Sequence, residues 1–335
     1  TDGNYTSTPA YDAWGRLSQQ THQRGSDAAK VFNLRYNNHG YPSSVERAGL
    51  ALSQVVAQDA SQRVLHSLLG NGLIQTRTYS PHTGRLQTGM LKTGSEAVRL
   101  QEGYTYDPLG NVTRRGQYWD TSGFEETFAN DGLNRLVSSE VEGQSAKTFS
   151  YDAAGNLKTK TGAGTYAYPA QGPAAIRPHA VQSVSGMAGT FSYDANGNLL
   201  SGAGRTISWA SFDMPITITK GSNSSTFAYG PEHQRAKQTR GDGLAILYAG
   251  AQEVETKAGV TTVKTYWPGG AGLEIDKTGH STQLMWTHAD RLGSPVAITD
   301  SAGNLAEKLA YDAWGKRRSL DGATTPDALD GLVDN

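Results

Sequence analysis

Short runs of alternating apolar and polar residues recur along the whole chain. Examples are residues 148–151, 190–193, 206–209 and 216–219, in which β-branched or aromatic residues alternate with serine or threonine. This period of two predicts short strands that are polar on one face. The 45–69 stretch has no single apolar helical face, so we expect strands there as well.

A repeated motif, Tyr-Asp-x-x-Gly, separates these predicted strands. Five copies are clear, and looser copies begin near positions 36, 79, 130 and 229. Neighbouring copies are separated by about 20 residues, which is the length of one structural repeat. The clear copies comprise Tyr11, Asp12 and Gly15; Tyr106, Asp107 and Gly110; Tyr151, Asp152 and Gly155; Tyr193, Asp194 and Gly197; and Tyr311, Asp312 and Gly315.

The motif is typical of a β-hairpin turn. Its aspartate can accept hydrogen bonds from the backbone N–H groups that follow, and its glycine can adopt the left-handed conformation that closes a type I turn with a bulge. The tyrosine then ends one strand, and we expect its ring to stack on the corresponding rings of neighbouring repeats. A two-stranded repeat buries too little surface alone, so the repeats should pair side by side into a curved antiparallel sheet.

Composition and charge narrow the possible functions. The 335 residues include 30 basic and 31 acidic side chains, a balance that disfavours binding to nucleic acid or to an anionic membrane. The chain has no cysteine, which excludes disulfides and thiol catalysis. No apolar run reaches the ~18 residues of a membrane span. Since the sequence begins at Thr1 without a signal-peptide pattern, we interpret it as part of a longer protein.

The candidate chemical groups do not form a known catalytic or metal-binding pattern. The loop at Asp194 has glycine at the wrong position for a calcium loop. The eight histidines show no zinc-site spacing, and His288 is the one worth following, although we favour a structural hydrogen bond for it. Because Trp14 and Trp314 occupy equivalent motif positions, we expect packing rather than ligand binding there. We therefore predict no catalytic, cofactor-binding or metal-binding residues.

These repeats resemble the RHS, or YD, repeats of bacterial polymorphic toxins, of the C component of Tc toxins and of teneurins. The most specific stretch lies near the end, where Asp290, Leu292, Gly293 and Ser294, followed by the Tyr311 motif, are similar to the opening of the RHS-associated core region. The resemblance implies a repeat array over residues 1–275 and the start of the core region over 276–335, continuous with the same sheet. It also implies an all-β ribbon that spirals into part of a hollow shell.

The resemblance further implies a function without catalysis in this segment. Such a shell encloses a C-terminal toxin polypeptide, so the expected partners are that toxin, the remaining shell of the same parent protein and a delivery component. We expect an inner face rich in tyrosine and polar groups, and secretion or delivery to a target cell. Two alternatives stay open: a carbohydrate- or protein-binding adhesion module, and part of a self-cleaving aspartic protease region whose catalytic segment lies beyond Asn335.

Overall fold

The chain folds almost entirely into antiparallel β-strands. A computed structural model describes residues 4–322. These residues form 31 strands and one short 3-10 turn at Pro268–Gly270, and they contain no α-helix. The all-β prediction is therefore confirmed, including the strands expected in the 45–69 stretch. Residues 323–335, the end of the predicted core region, lie outside the described part.

The first sheet is a 16-stranded meander in which every strand pairs with its neighbours along the chain. Its strands are β1 Tyr5–Tyr11, β2 Leu17–Arg24, β3 Lys30–Tyr36, β4 Pro42–Arg47, β5 Leu50–Gln58, β6 Val64–Leu69, β7 Ile74–Tyr79, β8 Leu86–Lys92, β9 Val98–Tyr106, β10 Val112–Trp119, β11 Ser122–Asn130, β12 Leu136–Val141, β13 Lys147–Tyr151, β14 Leu157–Lys160, β15 Gly164–Ala167 and β16 Ser183–Val184.

The second sheet continues the same meander with 13 strands, and a separate two-stranded hairpin follows it. Its strands are β17 Ser192–Tyr193, β18 Leu199–Gly202, β19 Arg205–Trp209, β20 Pro215–Lys220, β21 Asn223–Tyr229, β22 Arg235–Arg240, β23 Ala245–Ala249, β24 Gln252–Lys257, β25 Val260–Tyr266, β26 Gly272–Lys277, β27 Gln283–Ala289, β28 Pro295–Thr299 and β29 Leu305–Lys308; the hairpin is β30 Ala310–Tyr311 and β31 Arg317–Arg318. Since β26 crosses position 275, the sheet does not break there.

Each Tyr-Asp-x-x-Gly motif forms a tight turn at one end of a hairpin. In the first copy, the Asp12 carboxylate accepts hydrogen bonds from the backbone N–H groups of Trp14 (2.9 Å) and Arg16 (3.0 Å). The Gly15 N–H donates to the Asp12 carbonyl oxygen at 3.0 Å, and Gly15 has a φ of 75°. The corresponding glycines of the other four copies also have positive φ, between 83° and 98°.

The same left-handed conformation is present in further turns of this kind, near residues 59, 131, 210 and 230, where another residue stands at the position of the glycine. Gln62, Asn134, Asp213 and His233 occupy that position with φ values of 65°, 60°, 60° and 60°. Asparagine and aspartate tolerate this region better than most residues, whereas other side chains adopt it at a cost in strain. The hairpin geometry is therefore imposed by the surrounding sheet as well as by the glycine.

The motif tyrosines connect each repeat to the preceding one. The Tyr106 hydroxyl donates to the carbonyl oxygen of Leu86 at 2.8 Å, and equivalent bonds run from Tyr36, Tyr151 and Tyr193 to Leu17, Leu136 and Val181. The predicted stacking of motif rings on one another is wrong within residues 4–322. Equivalent tyrosines are two strands apart, about 9–10 Å, whereas stacked rings need about 4.5–7 Å.

Arginine side chains fill the space between successive tyrosines. The guanidinium carbon of Arg16 lies 4.2 Å from the centre of the Tyr36 ring, and that of Arg135 lies 4.5 Å from the Tyr151 ring. Arg16 and Arg135 also pair with their own motif aspartates, Asp12 and Asp131, at 2.7 and 2.6 Å. One arginine thus joins the turn of its own repeat to the tyrosine of the next.

The ribbon spirals so that the second sheet passes over the first. Their contacts follow chain order: β1 meets the turn between β23 and β24, β3 meets β26, β5 meets β27, and β10 meets β28 and β30. Apolar residues from both layers form the core between them. The larger cluster comprises Leu73, Leu91, Leu100, Trp119, Phe124, Val141, Val296, Ala297 and Ala310, and a second comprises Phe32, Leu52, Trp267 and Trp286.

We predict that Tyr106→Phe destabilises the protein by about 0.5–1.5 kcal/mol, because it removes the hydroxyl that donates to Leu86 in the preceding repeat. Tyr11→Phe is the matched control, since Tyr11 belongs to the first motif and is 62% exposed. Urea unfolding of both variants measures the difference. Equal losses for Tyr106→Phe and Tyr11→Phe would show that the hydroxyl does not connect the repeats.

The motif glycine should be sensitive to the shape of the side chain that replaces it. No atom lies within 4 Å of a Cβ built on Gly155, so a substitution there meets only backbone strain at its φ of 87°. We expect Gly155→Val to cost about 1–3 kcal/mol and Gly155→Asn distinctly less, because asparagine tolerates the left-handed region. Thermal unfolding of the two variants tests this, and equal melting temperatures would contradict it.

Candidate functional site

The motif residues predicted from sequence are distributed along the ribbon and do not converge on one centre. The core-region residues form one more turn of the same kind. The Asp290 carboxylate accepts the N–H groups of Leu292 at 2.8 Å and Ser294 at 3.0 Å, and Gly293 has a φ of 88°. Leu292 is 73% exposed at the tip. These residues shape the backbone, and the groups with unusual environments lie between the layers and inside the spiral.

A buried ion-pair cluster joins the layers at β3, β4 and β26. Glu274, 4% exposed, accepts hydrogen bonds from Lys30 Nζ at 2.7 Å and from Arg47 Nε at 2.5 Å. Lys30 also contacts the carboxylate of Asp276. Burial acts to raise the pKa of Glu274, but the hydrogen bonds from Arg47 and Lys30 outweigh it and hold the pKa below its ordinary value. The cluster therefore stays charged and fixes the register between layers.

A second buried cluster fixes the C-terminal hairpin against the first sheet. Glu126, 2% exposed, accepts hydrogen bonds from Arg318 at 2.7 and 3.1 Å and from Arg115 at 2.5 Å. Arg115 also donates to the carbonyl oxygen of Tyr311 at 2.8 Å. Bidentate arginine–carboxylate geometry is directional. The hairpin that carries the last motif is thereby held at one orientation on β10 and β11.

The tryptophans, of which Trp14 and Trp314 were predicted to pack, have different surroundings. Trp119 and Trp286 are buried, and their indole N–H groups each donate across the layer interface at 2.7 Å, to the carbonyl oxygens of Val296 and Leu52. Trp314 packs on Phe149 of the first sheet, with ring centres 5.2 Å apart. The equivalent residue Trp14 is 79% exposed, so the shared motif position does not determine burial.

His288 has a structural environment. It is 2% exposed, and its Nε2 lies 2.9 Å from the Thr299 hydroxyl, which also receives a hydrogen bond from the Asn71 amide at 2.9 Å. Burial lowers the pKa of His288 to about 4, so the ring is neutral near pH 7. The hydrogen bond that the sequence favoured for His288 is present.

Glu102, like Glu126 and Glu274, is a buried acid that sequence reasoning missed. It is 4% exposed on β9 and accepts a hydrogen bond from the Tyr104 hydroxyl at 2.7 Å. Burial raises its pKa to about 7, and the nearby charge of Asp290 acts in the same direction, whereas Arg77 and Arg115 oppose it. A glutamate among polar neighbours on a strand carries no sequence signal for burial, because the covering layer comes from almost 200 residues further along the chain.

The interior of the spiral contains a cavity of about 1280 Å³. It lies between one face of β19–β23 and the hairpin β30–β31, and Ile207, Ile218 and Ile246 line it together with several basic side chains. Only two tyrosines, Tyr248 and Tyr311, line this cavity. The expectation of a tyrosine-rich inner face is therefore wrong for this cavity, because motif tyrosines such as Tyr151 and Tyr193 bond to the preceding repeat and only Tyr311 of the clear copies reaches it.

Within residues 4–322, no group of three or more histidine, aspartate or glutamate side chains is placed to hold a metal ion. The same residues include no helix that is long and apolar enough to cross a membrane. The described residues thus form a two-layered wall with a partly open cavity on one side, and the buried ionic groups described above serve the contact between layers.

Solved structures that share this architecture include several Tc toxin structures. A crystal structure of TcdB2-TccC3-TEV superposes with a TM-score of 0.76 at 16% identity, covering 99% of this chain and 19% of that one. A crystal structure of TcdB2-TccC3 gives a TM-score of 0.76 at 17% identity, and the match covers 98% of this chain and 19% of that one. The structure of the Photorhabdus luminescens Tc holotoxin pore gives a TM-score of 0.75 at 17% identity, and the match covers 98% of this chain and 18% of that one.

The fold defines the class: this chain has the RHS-repeat shell fold, as the Tyr-Asp motifs predicted. Its fold matches a segment that makes up about a fifth of the length of each TccC3-containing chain.

Among proteins of known sequence, the tRNA3(Ser)-specific nuclease WapA of Bacillus spizizenii is 29% identical over 143 residues, which are 39% of this chain and 6% of that protein. The tRNA nuclease WapA of Bacillus subtilis is 28% identical over 143 residues, which are again 39% of this chain and 6% of that protein. No protein-family model matches the chain. The chain spans only a small part of the length of each relative, about a fifth of the Tc toxin chains and 6% of the WapA nucleases.

Glu102 should make stability depend on pH. Its pKa is about 7 in the folded protein and near the ordinary 4.5 when unfolded, so its ionisation destabilises the fold as pH rises from 4.5 through 7. We expect Glu102→Gln to raise the free energy of unfolding by on the order of 2–3 kcal/mol at pH 8, where Glu102 is ionised, and to change it little at pH 4.5. Urea unfolding at both pH values measures the difference between the variant and the original protein.

His288 acts in the opposite direction, because its lowered pKa makes the fold lose stability as pH falls from 6.5 towards 4. Both proteins retain His288, so its contribution cancels in the comparison. A Glu102→Gln variant with the same pH profile as the original protein would contradict the prediction.

Proposed function

We propose that this chain is a non-catalytic segment of an RHS shell that encloses a C-terminal toxin polypeptide of the same parent protein. The remaining shell of that parent and a delivery component are the other partners, and the whole protein is secreted or delivered to a target cell. The similarity to Tc toxin components and to the WapA nucleases supports this role. In this proposal the toxic activity lies outside the segment.

The observation that carries the proposal is the rolled, two-layered wall with a cavity on its inner side. Indole N–H groups, buried ion pairs and two apolar clusters hold the second layer on the first. A wall fixed in this way excludes large molecules without any reactive group. Its inner surface mixes isoleucine with charged residues, and a surface of that kind holds a polypeptide without offering one large apolar patch.

An adhesion module is the second candidate, and the exposed tips of the motif turns favour it. Trp14, Leu109 and Leu133 are 79%, 73% and 72% exposed at the tips of three hairpins in the first sheet, and the hairpins of Leu109 and Leu133 are neighbours. Exposed aromatic and aliphatic side chains in a row are typical of binding surfaces. The self-cleaving protease alternative places its catalytic segment beyond Asn335.

Protease access in the full parent protein tests the enclosure. The same protease recognition sequence is inserted in the exposed turn at Leu133 and, in a second variant, in the polypeptide that follows residue 335. We expect the turn site to be cut quickly and the following site at least about tenfold more slowly, because the wall excludes the protease. In urea both sites should be cut at similar rates.

Equal cleavage rates in the folded parent would refute enclosure. The adhesion alternative predicts that Trp14→Ser with Leu133→Ser reduces binding to cells while protection of the following polypeptide is unchanged, so the two candidates give different results.

A further inference from the structure

Three arginines converge on a smaller cavity that lies between the two layers. Its volume is about 440 Å³, a size typical of small-molecule sites, and it is partly open to solvent. The first layer contributes the turn between β7 and β8 and the turn between β9 and β10, and the second layer contributes the turn between β27 and β28. The charged residues that line it are Arg77, Arg85, Arg291 and Asp290.

Arg85 occupies a motif position at which other arginines have an aspartate partner. In the turns that begin at Asp12, Asp59 and Asp131, the arginine that ends the turn pairs with that aspartate at 2.7, 2.6 and 2.6 Å. The turn of Arg85 begins at Ser80 instead, and the Ser80 N–H donates to the Arg85 carbonyl oxygen at 2.8 Å, as in the other turns. The guanidinium group of Arg85 therefore lacks the carboxylate that its equivalents have.

Arg291 also departs from the repeat. It follows Asp290 directly, at a position where the five clear motifs have a small residue or proline, namely Ala13, Pro108, Ala153, Ala195 and Ala313. Its guanidinium carbon lies 5.7 Å from the centre of the Tyr104 ring. Burial raises the pKa of the Tyr106 hydroxyl, and the positive charges of Arg291 and Arg85 both oppose this shift. Two departures from the motif, one in each layer, thus lie beside the same tyrosine.

The three arginines form no ion pair with a carboxylate in the part of the chain from 4 to 322. The Asp290 carboxylate lines the same cavity, but it accepts hydrogen bonds from the backbone N–H groups of its own turn. Glu102 acts on Arg77 from β9, and because burial raises its pKa to about 7, it is partly protonated near neutral pH. Since Arg77 and Arg85 are half-buried, their charges favour an anionic ligand.

A glycine leaves the space that the Arg85 side chain occupies. A Cβ built on Gly110 would collide with the Arg85 guanidinium group, whereas a Cβ on Gly15 or Gly197 would meet no atom within 4 Å. The one hydrogen bond of this guanidinium group within the described residues goes to the Leu109 carbonyl oxygen at 3.3 Å. Because a guanidinium group has five N–H donors, most of those of Arg85 remain available to a ligand in the cavity.

Phosphate chemistry matches this set of groups better than a single carboxylate does. Guanidinium groups bind phosphate oxygens with two parallel hydrogen bonds, and three arginines offer several such pairs. A phosphate monoester carries a charge of about −1.5 to −2 near pH 7, which balances the surplus of three arginines over Asp290. A lone carboxylate supplies only half of that charge.

We propose that this arginine cavity, defined by Arg77, Arg85 and Arg291, binds a phosphate group, either as the free ion or on a small organic molecule. The ligand contacts Arg77 and Arg85 of the first layer and Arg291 of the second. Binding therefore joins the layers and stabilises the rolled wall. The site does not depend on whether the shell encloses a polypeptide.

Thermal unfolding and titration calorimetry of the chain with inorganic phosphate and with glycerol 3-phosphate test the proposal. Sodium chloride and sodium acetate at the same ionic strength are the reference salts. We expect both phosphates to raise the melting temperature more than either reference salt does. Arg85→Gln and Arg291→Gln should each weaken phosphate binding roughly tenfold. The control Lys158→Gln removes one charge from an exposed position outside the cavity and should change affinity less than about twofold.

Ser80→Asp separates loss of the site from loss of the fold. It restores the aspartate that pairs with arginine in the equivalent turns, so Arg85 should turn towards it and away from the cavity. We expect this variant to weaken phosphate binding roughly tenfold while its melting temperature without phosphate is kept or raised. A variant that folds as well as the original protein and still loses binding would support the site directly.

The order of the two phosphates identifies the form of the ligand. Tighter binding of glycerol 3-phosphate assigns the cavity to a phosphate monoester, and tighter binding of inorganic phosphate assigns it to the free ion. Equal phosphate affinity in the original protein, Arg85→Gln and Arg291→Gln would overturn the proposal. A melting-temperature increase in acetate as large as that in phosphate would also overturn it and assign the cavity to carboxylates.

Discussion

A tyrosine hydroxyl that reaches the carbonyl oxygen of the preceding hairpin is the contact on which the architecture depends. In Tyr106 and its equivalents, this bond fixes the distance between successive turns, while an arginine fills the space between their rings. Because the same contact recurs from repeat to repeat, small curvatures accumulate in one direction. The spiral, the second layer and the interior cavity all follow from that accumulation.

The local structure could be predicted from the sequence because its determinants are adjacent in the chain. Asp12 and Gly15 form their turn with each other, and so the strand ends at Tyr11 and begins again at Leu17. The stacking of motif rings was predicted wrongly because it depended on the spacing between repeats. The order of the strands also followed from the repeat, since each hairpin can pair only with its neighbours.

The layer interface and the cavity could not be predicted in the same way. Lys30 and Glu274 are 244 positions apart, and neither lies in the Tyr-Asp motif. The burial of Glu102 likewise depends on how far the ribbon has turned when β27 and β28 pass over β9. That angle is a sum of small twists over many strands, which no local pattern encodes.

The meander has a consequence for how the protein is made. Every strand pairs with its chain neighbours, so hairpins can form in order while a ribosome is still synthesising the later ones. The contacts of Trp119 with Val296 and of Lys30 with Glu274 span 177 and 244 residues and must wait until that part of the chain emerges. During this interval the second sheet does not yet cover Phe32, Leu52 and Leu91, so the order of synthesis leaves part of the apolar core open until the last strands emerge.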